Sequence, residues 1–406
     1  MNQSTTGRAS IGRRKLLGSA ALTAVAGRAW AQQPSGPVRI GVLTDETGPY
    51  ADASGSGSAL AVRMAVTDFG GSVLNMPIEV VHADTQNKPD VASSIARQWF
   101  DSRGVDLITD LPVTPVAAAV QQVAREKGKS VLITAAAASE FTSKTCGPTS
   151  THWADDTHAL SAGTAAQVTK AGGKTWFFIT VDMAFGHALE QEATAVVRAN
   201  GGQVVGSARF PIGNADFASL LLQAQASGAQ VIGLASVGND LVNLIKQAGE
   251  FGIGGGKQIL AGFLIYITDI HALTPDVAHG FTFVSGFYWN QNDQARAWAK
   301  RYFTVQGAMP TRAHAAGYAG TLHFLKAMQQ AGTRDAVAVN KAMRGMPIDY
   351  FGRTGSIRAD GRALYDLTLY RVKPAGEVKA PWDYYEALGT IQPNDAFLPI
   401  NPACAP

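Results

Sequence analysis

The 406-residue sequence predicts an α/β protein made of two domains. Short apolar stretches with strand character alternate with amphipathic helical stretches in two successive runs, over residues 38–134 and over residues 175–261. Strands that alternate with helices of about ten to sixteen residues form a parallel sheet with helices on both faces. Each run has strands and apolar helix faces of its own, and the chain is long enough for two domains, so we assign one domain to each run.

Residues 1–31 have the features of an export signal. Arg13 and Arg14 form a twin-arginine pattern, the apolar run from Leu16 to Ala26 follows, and Ala29-Trp30-Ala31 is a small-residue cleavage site. The apolar run is too short to span a bilayer stably, so we expect a cleaved leader rather than a membrane anchor. The sequence therefore predicts a periplasmic protein exported by the twin-arginine route.

The excess positive charge of the chain lies in this leader. The whole chain has 34 Lys and Arg against 31 Asp and Glu, a net charge of +3. The leader holds five of the basic residues and none of the acidic ones, which leaves 29 basic against 31 acidic groups. A weakly acidic mature chain offers no basic surface, and we therefore exclude nucleic acid as a partner.

Two cysteines, Cys146 and Cys404, lie in the exported part. In the oxidising periplasm they either form a disulfide that ties the C-terminal tail to the middle of the chain or remain two unpaired structural residues. The histidines show no metal-ligand spacing around either cysteine, so we expect no metal site. We expect no cofactor either, because the glycine-rich loop at residues 48–57 lacks the spacing of a nucleotide-binding loop.

The first run begins with a buried strand at residues 39–43, a polar loop at 48–57 and an amphipathic helix that reaches Phe69. Backbone N–H groups near the start of such a helix suit an anionic ligand. Ile40-Gly41-Val42-Leu43, followed by Thr47-Gly48-Pro49-Tyr50-Ala51, resembles the opening of periplasmic solute-binding proteins of the leucine/isoleucine/valine-binding type, which serve ABC importers. Further family-like pieces arrive in the family's order, at residues 84–89, 184–186, 201–206 and 214–217.

This resemblance implies the type I periplasmic binding fold, in which two Rossmann-like lobes are joined by three hinge crossings and close around a ligand. Lobe 1 is then expected at residues 36–155 plus about 290–350, and lobe 2 at about 156–285 plus about 351–406. The implied function is the substrate-binding component of an ABC importer, a monomer that delivers its ligand to an inner-membrane permease. A periplasmic sensor input with the same fold is the alternative.

Ligands of open α/β sheets lie beyond the carboxyl ends of the strands. With the alignment to the family, this rule gives the candidate ligand-binding residues Tyr50, Ser54, Val113, Thr114, Ala135, Ala137, Phe185, Val237 and Phe263. Tyr50 and Phe185 are either ligand-stacking aromatics or structural ones. Val113 and Thr114 stand where amino-acid binders of the family have a Ser/Thr pair for the ligand carboxylate, and Thr114 equally suits the N-cap of the next helix.

Two departures from the family pattern concern the ligand. Ala137 stands where amino-acid binders have a threonine, and Phe263 or an apolar neighbour stands where they have the acidic partner of the α-ammonium group. A desolvated ammonium without that partner costs about 3–5 kcal/mol. We therefore predict a small carboxylate with an aromatic or other apolar body, which points to the aromatic-acid-binding branch of the family. An amino acid is the alternative if Asp182, Asp240 or Asp269 supplies the missing charge.

Enzyme motifs are absent from the sequence. It contains no G-x-S-x-G elbow, no H-E-x-x-H and no paired-cysteine metal set. Two Rossmann-like lobes also occur in enzymes, but without such a motif the sequence predicts a binding protein rather than an enzyme.

Overall fold

The computed structural model describes residues 36–254 and 258–404. The predicted leader, residues 1–31, lies outside the described residues. All elements given below belong to the described part of the chain.

A six-stranded sheet forms from the first run of strands. It has the order β2-β3-β1-β4-β5-β6, with β2 antiparallel to β3 and the other neighbours parallel. Its strands are β1 Val38–Thr44, β2 Ser72–Val73, β3 Met76–Asp84, β4 Val105–Asp110, β5 Ser130–Ile133 and β6 Ser150–His152. The connecting helices are α1 Gly55–Phe69, α2 Pro89–Ser102 and α3 Thr114–Lys127. Every residue of β4 and β5 is buried, as expected for central parallel strands covered on both faces.

A second, fully parallel sheet forms from the second run, with the order β10-β9-β7-β8. Its strands are β7 Thr175–Val181, β8 Gln203–Phe210, β9 Val231–Ala235 and β10 Ile259–Gly262. The helices of this run are α4 Thr157–Lys170, α5 Ala184–Ala199, α6 Ala218–Ala226 and α7 Gly238–Glu250. The inner strands β7 and β9 are almost entirely buried, whereas the edge strand β8 alternates between exposed and more buried residues.

The rest of the chain adds helices and two antiparallel sheets, β11-β15-β16 and β12-β13-β14. The helices are α8 Ile267–Leu273, α9 Pro275–Ala278, α10 Asp293–Gln306, α11 Arg312–Ala331, α12 Ala336–Gly345 and α13 Pro393–Ala396. The strands are β11 Thr282–Ser285, β12 Ile348–Tyr350, β13 Arg353–Ile357, β14 Ala363–Leu364, β15 Leu367–Val372 and β16 Tyr385–Ile391.

Helix α11 packs against α1 beside the first sheet. Thr311 directly precedes α11, and its hydroxyl donates to the Ala53 carbonyl at 2.7 Å. The ring of His314 lies 2.8 Å from the Ser54 carbonyl. Gly57 permits the close approach of both α10 and α11, because a Cβ there would lie 2.2 Å from the hydroxyl of Tyr302 on α10 and 2.7 Å from the ring of His314 on α11. Contacts with α10 and α11 thus fix the start of α1 and the loop that precedes it.

The α/β fold class is confirmed, and β7, β8 and β9 have the predicted bounds. The interpretation of Thr114 as an N-cap residue is wrong, because α3 begins at Thr114 and its N-cap residue is Val113. The structure joins Cys146 and Cys404 in a disulfide with a Cα–Cα distance of 5.9 Å. Among the described residues, no helix combines the length and the apolar character that a membrane span requires.

Candidate ligand-binding site

A cavity lies between the carboxyl ends of the parallel strands of the two sheets. It is bordered by the loops after β1, β4 and β5 on one side and by those after β7, β9 and β10 on the other. Its lining residues are Tyr50, Ala53, Ser54, Pro112, Thr114, Ala135, Ala137, Met183, Phe185, Val237, Leu264 and Tyr266. The cavity thus has the place that ligands occupy in α/β folds.

Most of the residues predicted from the sequence come together here. Those that line the cavity are Tyr50, Ser54, Thr114, Ala135, Ala137, Phe185 and Val237. Val113 and Phe263 do not line it. Val113 is buried as the N-cap residue of α3, and Phe263 packs in the core of the second sheet, with its ring centroid 6.2 Å from that of Phe178.

Five of the lining residues were not predicted from the sequence: Ala53, Pro112, Met183, Leu264 and Tyr266. Ala53 and Pro112 lie in predicted ligand-binding loops, beside residues that were predicted. Leu264 follows the predicted Phe263 directly and takes the apolar place that the alignment assigns to Phe263. Met183 and Tyr266 precede helices in loops after β7 and β10, so the strand-end rule applied to every residue of each loop would have found them.

A strained turn delivers the start of α3 to the cavity. Asp110 and Leu111 have φ angles of +79° and +63°, a left-handed conformation that costs non-glycine residues energy and clusters at functional sites. The turn is held because the Ala136 N–H donates to the Leu111 carbonyl at 3.0 Å. It places Thr114 in the cavity wall at the first position of α3. The N–H groups of Thr114 and Val116 in the first turn have no carbonyl partner within the helix, and Pro115 between them has no N–H, so this corner offers a carboxylate two backbone donors.

The residues that line the cavity, all within the described part of the chain, include no Asp, Glu, Lys, Arg or His. The three carboxylates considered as partners of an α-ammonium group do not line the cavity, and each has a hydrogen-bond partner. Asp182 lies 2.7 Å from the His187 ring, Asp240 accepts from the Gly213 N–H at 2.9 Å, and Asp269 accepts from the Tyr266 N–H at 2.8 Å. The cavity therefore presents hydroxyls, backbone groups and apolar surface.

Ser54 is backed by a buried carboxylate. Its hydroxyl lies 2.9 Å and 3.1 Å from the two oxygens of Asp110, and the Ser58 hydroxyl donates to the same carboxylate at 2.8 Å. Burial raises the pKa of Asp110 to about 6, and the serine hydroxyl groups partly offset that effect. At neutral pH Asp110 is thus a carboxylate solvated by hydroxyl groups.

Arg312, at the start of α11, fixes the opposite wall. It is buried, forms an ion pair with Asp155 at 3.1 Å, and donates to the carbonyls of Val284 at 2.9 Å and Ile265 at 2.6 Å. Its guanidinium carbon lies 5.1 Å from the ring centroid of Tyr266, a cation–π geometry. The Tyr266 ring is therefore held by a residue that also contacts the segments between the two sheets.

Contacts across the cavity show that its two sides are closed on each other. The Asn239 N–H donates to the Pro49 carbonyl at 3.4 Å, and the Tyr50 hydroxyl lies 3.7 Å from the Met183 sulfur. Farther out, the Ser139 hydroxyl donates to Glu192 on α5 at 2.6 Å. Tyr50 is only 5% exposed as a result.

Residues 36–254 and 258–404 contain no group of three or more His, Cys, Asp or Glu side chains placed to hold a metal ion.

Residues 37–377 match the periplasmic binding protein family. A curated relative, Leu/Ile/Val-binding protein homolog 6 of Brucella melitensis, is 25% identical over 240 residues. That match covers 58% of this chain and 61% of the relative, so the chain spans under two thirds of that protein's length.

Solved structures extend the similarity. A periplasmic binding protein from Burkholderia mallei is 45% identical with a TM-score of 0.89, over 92% of this chain and 98% of that one. A branched chain amino acid ABC transporter periplasmic ligand-binding protein from Burkholderia xenovorans LB400 is 39% identical with a TM-score of 0.79, over 89% and 97%. An R. palustris solute binding protein in complex with benzoate shares the fold alone, at 20% identity and a TM-score of 0.79, over 89% and 99%.

These relatives are binding proteins, which confirms the prediction that the chain is not an enzyme. Since the family match spans residues 37–377 and the B. mallei structure aligns with nearly the whole described chain, the protein belongs to the periplasmic binding protein family.

Proposed function

We propose that the protein is the extracytoplasmic substrate-binding component of an ABC importer, and that it traps a small carboxylate with an apolar or aromatic body. The observation that carries this proposal is the cavity lining, which combines a helix start suited to an anion with apolar walls and no acidic side chain. The carboxylate binds at the start of α3, and the apolar body lies among Tyr50, Phe185, Leu264 and Tyr266.

The energetics of this arrangement suffice for micromolar binding, which requires about 8 kcal/mol. Burial of one aromatic ring removes roughly 150–250 Å² from water, worth about 4–6 kcal/mol. Hydrogen bonds to a carboxylate contribute about 1.5–3 kcal/mol each, and the donors are the Thr114 hydroxyl and the N–H groups of Thr114 and Val116, since Pro115 between them has no N–H. Association entropy offsets part of this sum, so micromolar rather than tighter binding is expected.

The mechanism we propose is closure of two lobes around the ligand. The lobes are those predicted from the sequence, residues 36–155 plus about 290–350 and about 156–285 plus about 351–406. Three chain segments that run between the sheets meet at Asp155, which accepts from the Gly286 N–H at 2.7 Å and lies 3.3 Å from the Tyr365 hydroxyl. A meeting point of this kind supports a hinge there.

The finer cellular assignments belong to the same proposal. The twin-arginine leader predicted at residues 1–31 supports export to the periplasm, where the protein acts as a monomer and docks on an inner-membrane permease. The names of its relatives support transport over the sensor alternative, since the B. xenovorans protein is named for an ABC transporter.

An amino acid is the second candidate ligand, because the B. xenovorans and B. melitensis relatives are named for branched-chain amino acids. In this chain the α-ammonium group would have to bind to hydroxyls and carbonyls of the cavity instead of an acidic side chain. That substitution leaves a desolvated charge poorly compensated, which is why a carboxylate without the ammonium is preferred.

Calorimetric titration of the mature chain with benzoate, 4-hydroxybenzoate and leucine tests the proposal. We expect binding heat with the aromatic acids and none with leucine. Heat with leucine alone would overturn the carboxylate assignment and favour the amino-acid alternative. A Phe185→Ala variant, checked for folding by circular dichroism, should weaken the aromatic acids because the ring forms part of the apolar wall.

A further inference from the structure

We propose that Ser54 selects ligands that carry a hydrogen-bond donor on their apolar body, such as a ring hydroxyl, because the Ser54 hydroxyl donates its proton in a hydrogen bond to Asp110 and its oxygen is then left as an acceptor for the ligand. The ligand class is thereby narrowed to hydroxylated aromatic or apolar carboxylates. This inference rests on the proposed function and deepens it.

The first step concerns protons. A serine hydroxyl has one proton and two lone pairs, whereas an ionised carboxylate can only accept. Both oxygens of Asp110 lie within 3.1 Å of the Ser54 hydroxyl, and Ser58 donates to the same carboxylate. Within the described residues no Lys, Arg or His forms an ion pair with Asp110. Its charge is therefore stabilised by hydroxyl groups, and Ser54 cannot spare its proton.

The second step concerns direction. Ser54 lines the cavity and Asp110 does not, so the serine stands between the carboxylate and the ligand space. The backbone of Ser54 is fixed, because its N–H donates to the Tyr50 carbonyl at 3.0 Å and its own carbonyl accepts from the Ser58 N–H at 3.0 Å. Ser54 therefore lines the cavity from a fixed backbone position, and the hydrogen-bonding capacity that its hydroxyl has left after donating to Asp110 is that of an acceptor.

The third step concerns the ligand. A hydroxyl on the ligand that donates to Ser54 completes a chain of hydrogen bonds ending on the Asp110 carboxylate, and such chains strengthen each member. A ligand without a donor leaves the Ser54 oxygen without a hydrogen-bond partner in a closed cavity. An ether oxygen in the same place is worse, because two acceptor oxygens then face each other and repel. Sites built to pair with a ligand hydroxyl reject analogues that lack it.

The test uses three probes that differ at one position: benzoate, the hydroxybenzoate and the methoxybenzoate, with the substituent at the 3- or the 4-position. On the wild-type mature chain we expect one hydroxy isomer to bind about tenfold more tightly than benzoate and its methoxy analogue more weakly than benzoate. In Ser54→Ala the hydroxy-to-methoxy affinity ratio should collapse toward one. Ser54→Thr retains the hydroxyl and should retain the ratio.

Asp110→Asn provides a second, independent variant. An asparagine amide can donate to Ser54, which frees the serine proton to point into the cavity. The affinity for the methoxy acid should therefore rise relative to the affinity for the hydroxy acid. The inference would be overturned by an unchanged hydroxy-to-methoxy affinity ratio in both Ser54→Ala and Asp110→Asn, or by no preference for either hydroxy isomer in the wild type. In either case, binding of benzoate would still support the proposed function. If no carboxylate binds to the wild-type chain, the proposed function fails and the inference fails with it.

Discussion

Gly238 offers a direct test of closure. It is the first residue of α7, has a φ of +64°, and lies against the loop before α1. A Cβ at this position would lie 2.7 Å from the Pro49 carbonyl oxygen and 3.1 Å from the Tyr50 ring, both on the opposite side of the cavity. Gly238→Ala should therefore obstruct the closed form.

The free-energy cost of Gly238→Ala has two parts, backbone strain and a steric clash across the cavity, and a control variant separates them. An alanine in the left-handed conformation costs about 1–2 kcal/mol wherever it occurs. The overpacked contact across the cavity adds about 1–3 kcal/mol to the closed form only, which corresponds to roughly a 5- to 150-fold loss of affinity. Gly228 has a φ of +66°, and a Cβ added there would have no neighbouring atom within 4 Å. Gly228→Ala therefore introduces the backbone strain without the steric clash.

The assay pairs calorimetric titration of a bound aromatic acid with urea unfolding of the ligand-free chain. Both variants should lose a similar free energy of unfolding, and Gly238→Ala alone should lose affinity. Wild-type affinity in Gly238→Ala, or an equal affinity loss in Gly228→Ala, would refute the reasoning that ligand binding requires these two loops to meet.

Three further outcomes are expected. Arg312→Met leaves Asp155 as an unpaired buried carboxylate and should lower the free energy of unfolding by about 3–5 kcal/mol, with an affinity loss because Tyr266 is released; urea unfolding that matches wild type would contradict this. Burial raises the pKa of Glu192 to about 7 in the closed form, so closure is favoured at low pH and that gain is lost as the pH rises through about 7. Affinity should thus rise up to about tenfold from pH 8 to pH 6 in titrations, and Glu192→Gln should remove the dependence, with a persisting slope counting against it. Replacing both disulfide cysteines by serine should lower the free energy of unfolding by about 2–4 kcal/mol without changing affinity, and an unchanged unfolding midpoint would contradict the role of the bond.

The parallel strands were predictable because a strand buried on both faces is a continuous apolar run with a clear beginning and end. Strand β6 was not, since Ser150-Thr151-His152 is polar and is buried through its pairing with β5 and its bridge to Arg362. Strand β16 was missed because most of it is exposed. Of these contacts only the bridge between His152 and Arg362 joins residues that are distant in the sequence, whereas β16 pairs with the preceding strand β15.

At the site, the rule that ligands lie beyond strand ends pointed to the loops that line the cavity. The individual side chains were harder to predict, because the chain bends directly after β10, and an offset of one residue there exchanges Phe263 in the core for Leu264 in the cavity. The link between Ser54 and Asp110 joins residues 56 positions apart. No local sequence pattern predicts this hydrogen bond, because only the folded chain brings Ser54 and Asp110 together.

The central claim is that the cavity holds a carboxylate and an apolar body but lacks a partner for an α-ammonium group. The most direct measurement compares ligands that differ in that group alone: leucine against 4-methylpentanoate, and phenylalanine against 3-phenylpropanoate, each titrated into the mature chain. An uncompensated ammonium costs about 3–5 kcal/mol, so each acid without the amine should bind more than about a hundredfold more tightly than its amino-acid counterpart. Tighter binding of leucine or phenylalanine would contradict the account.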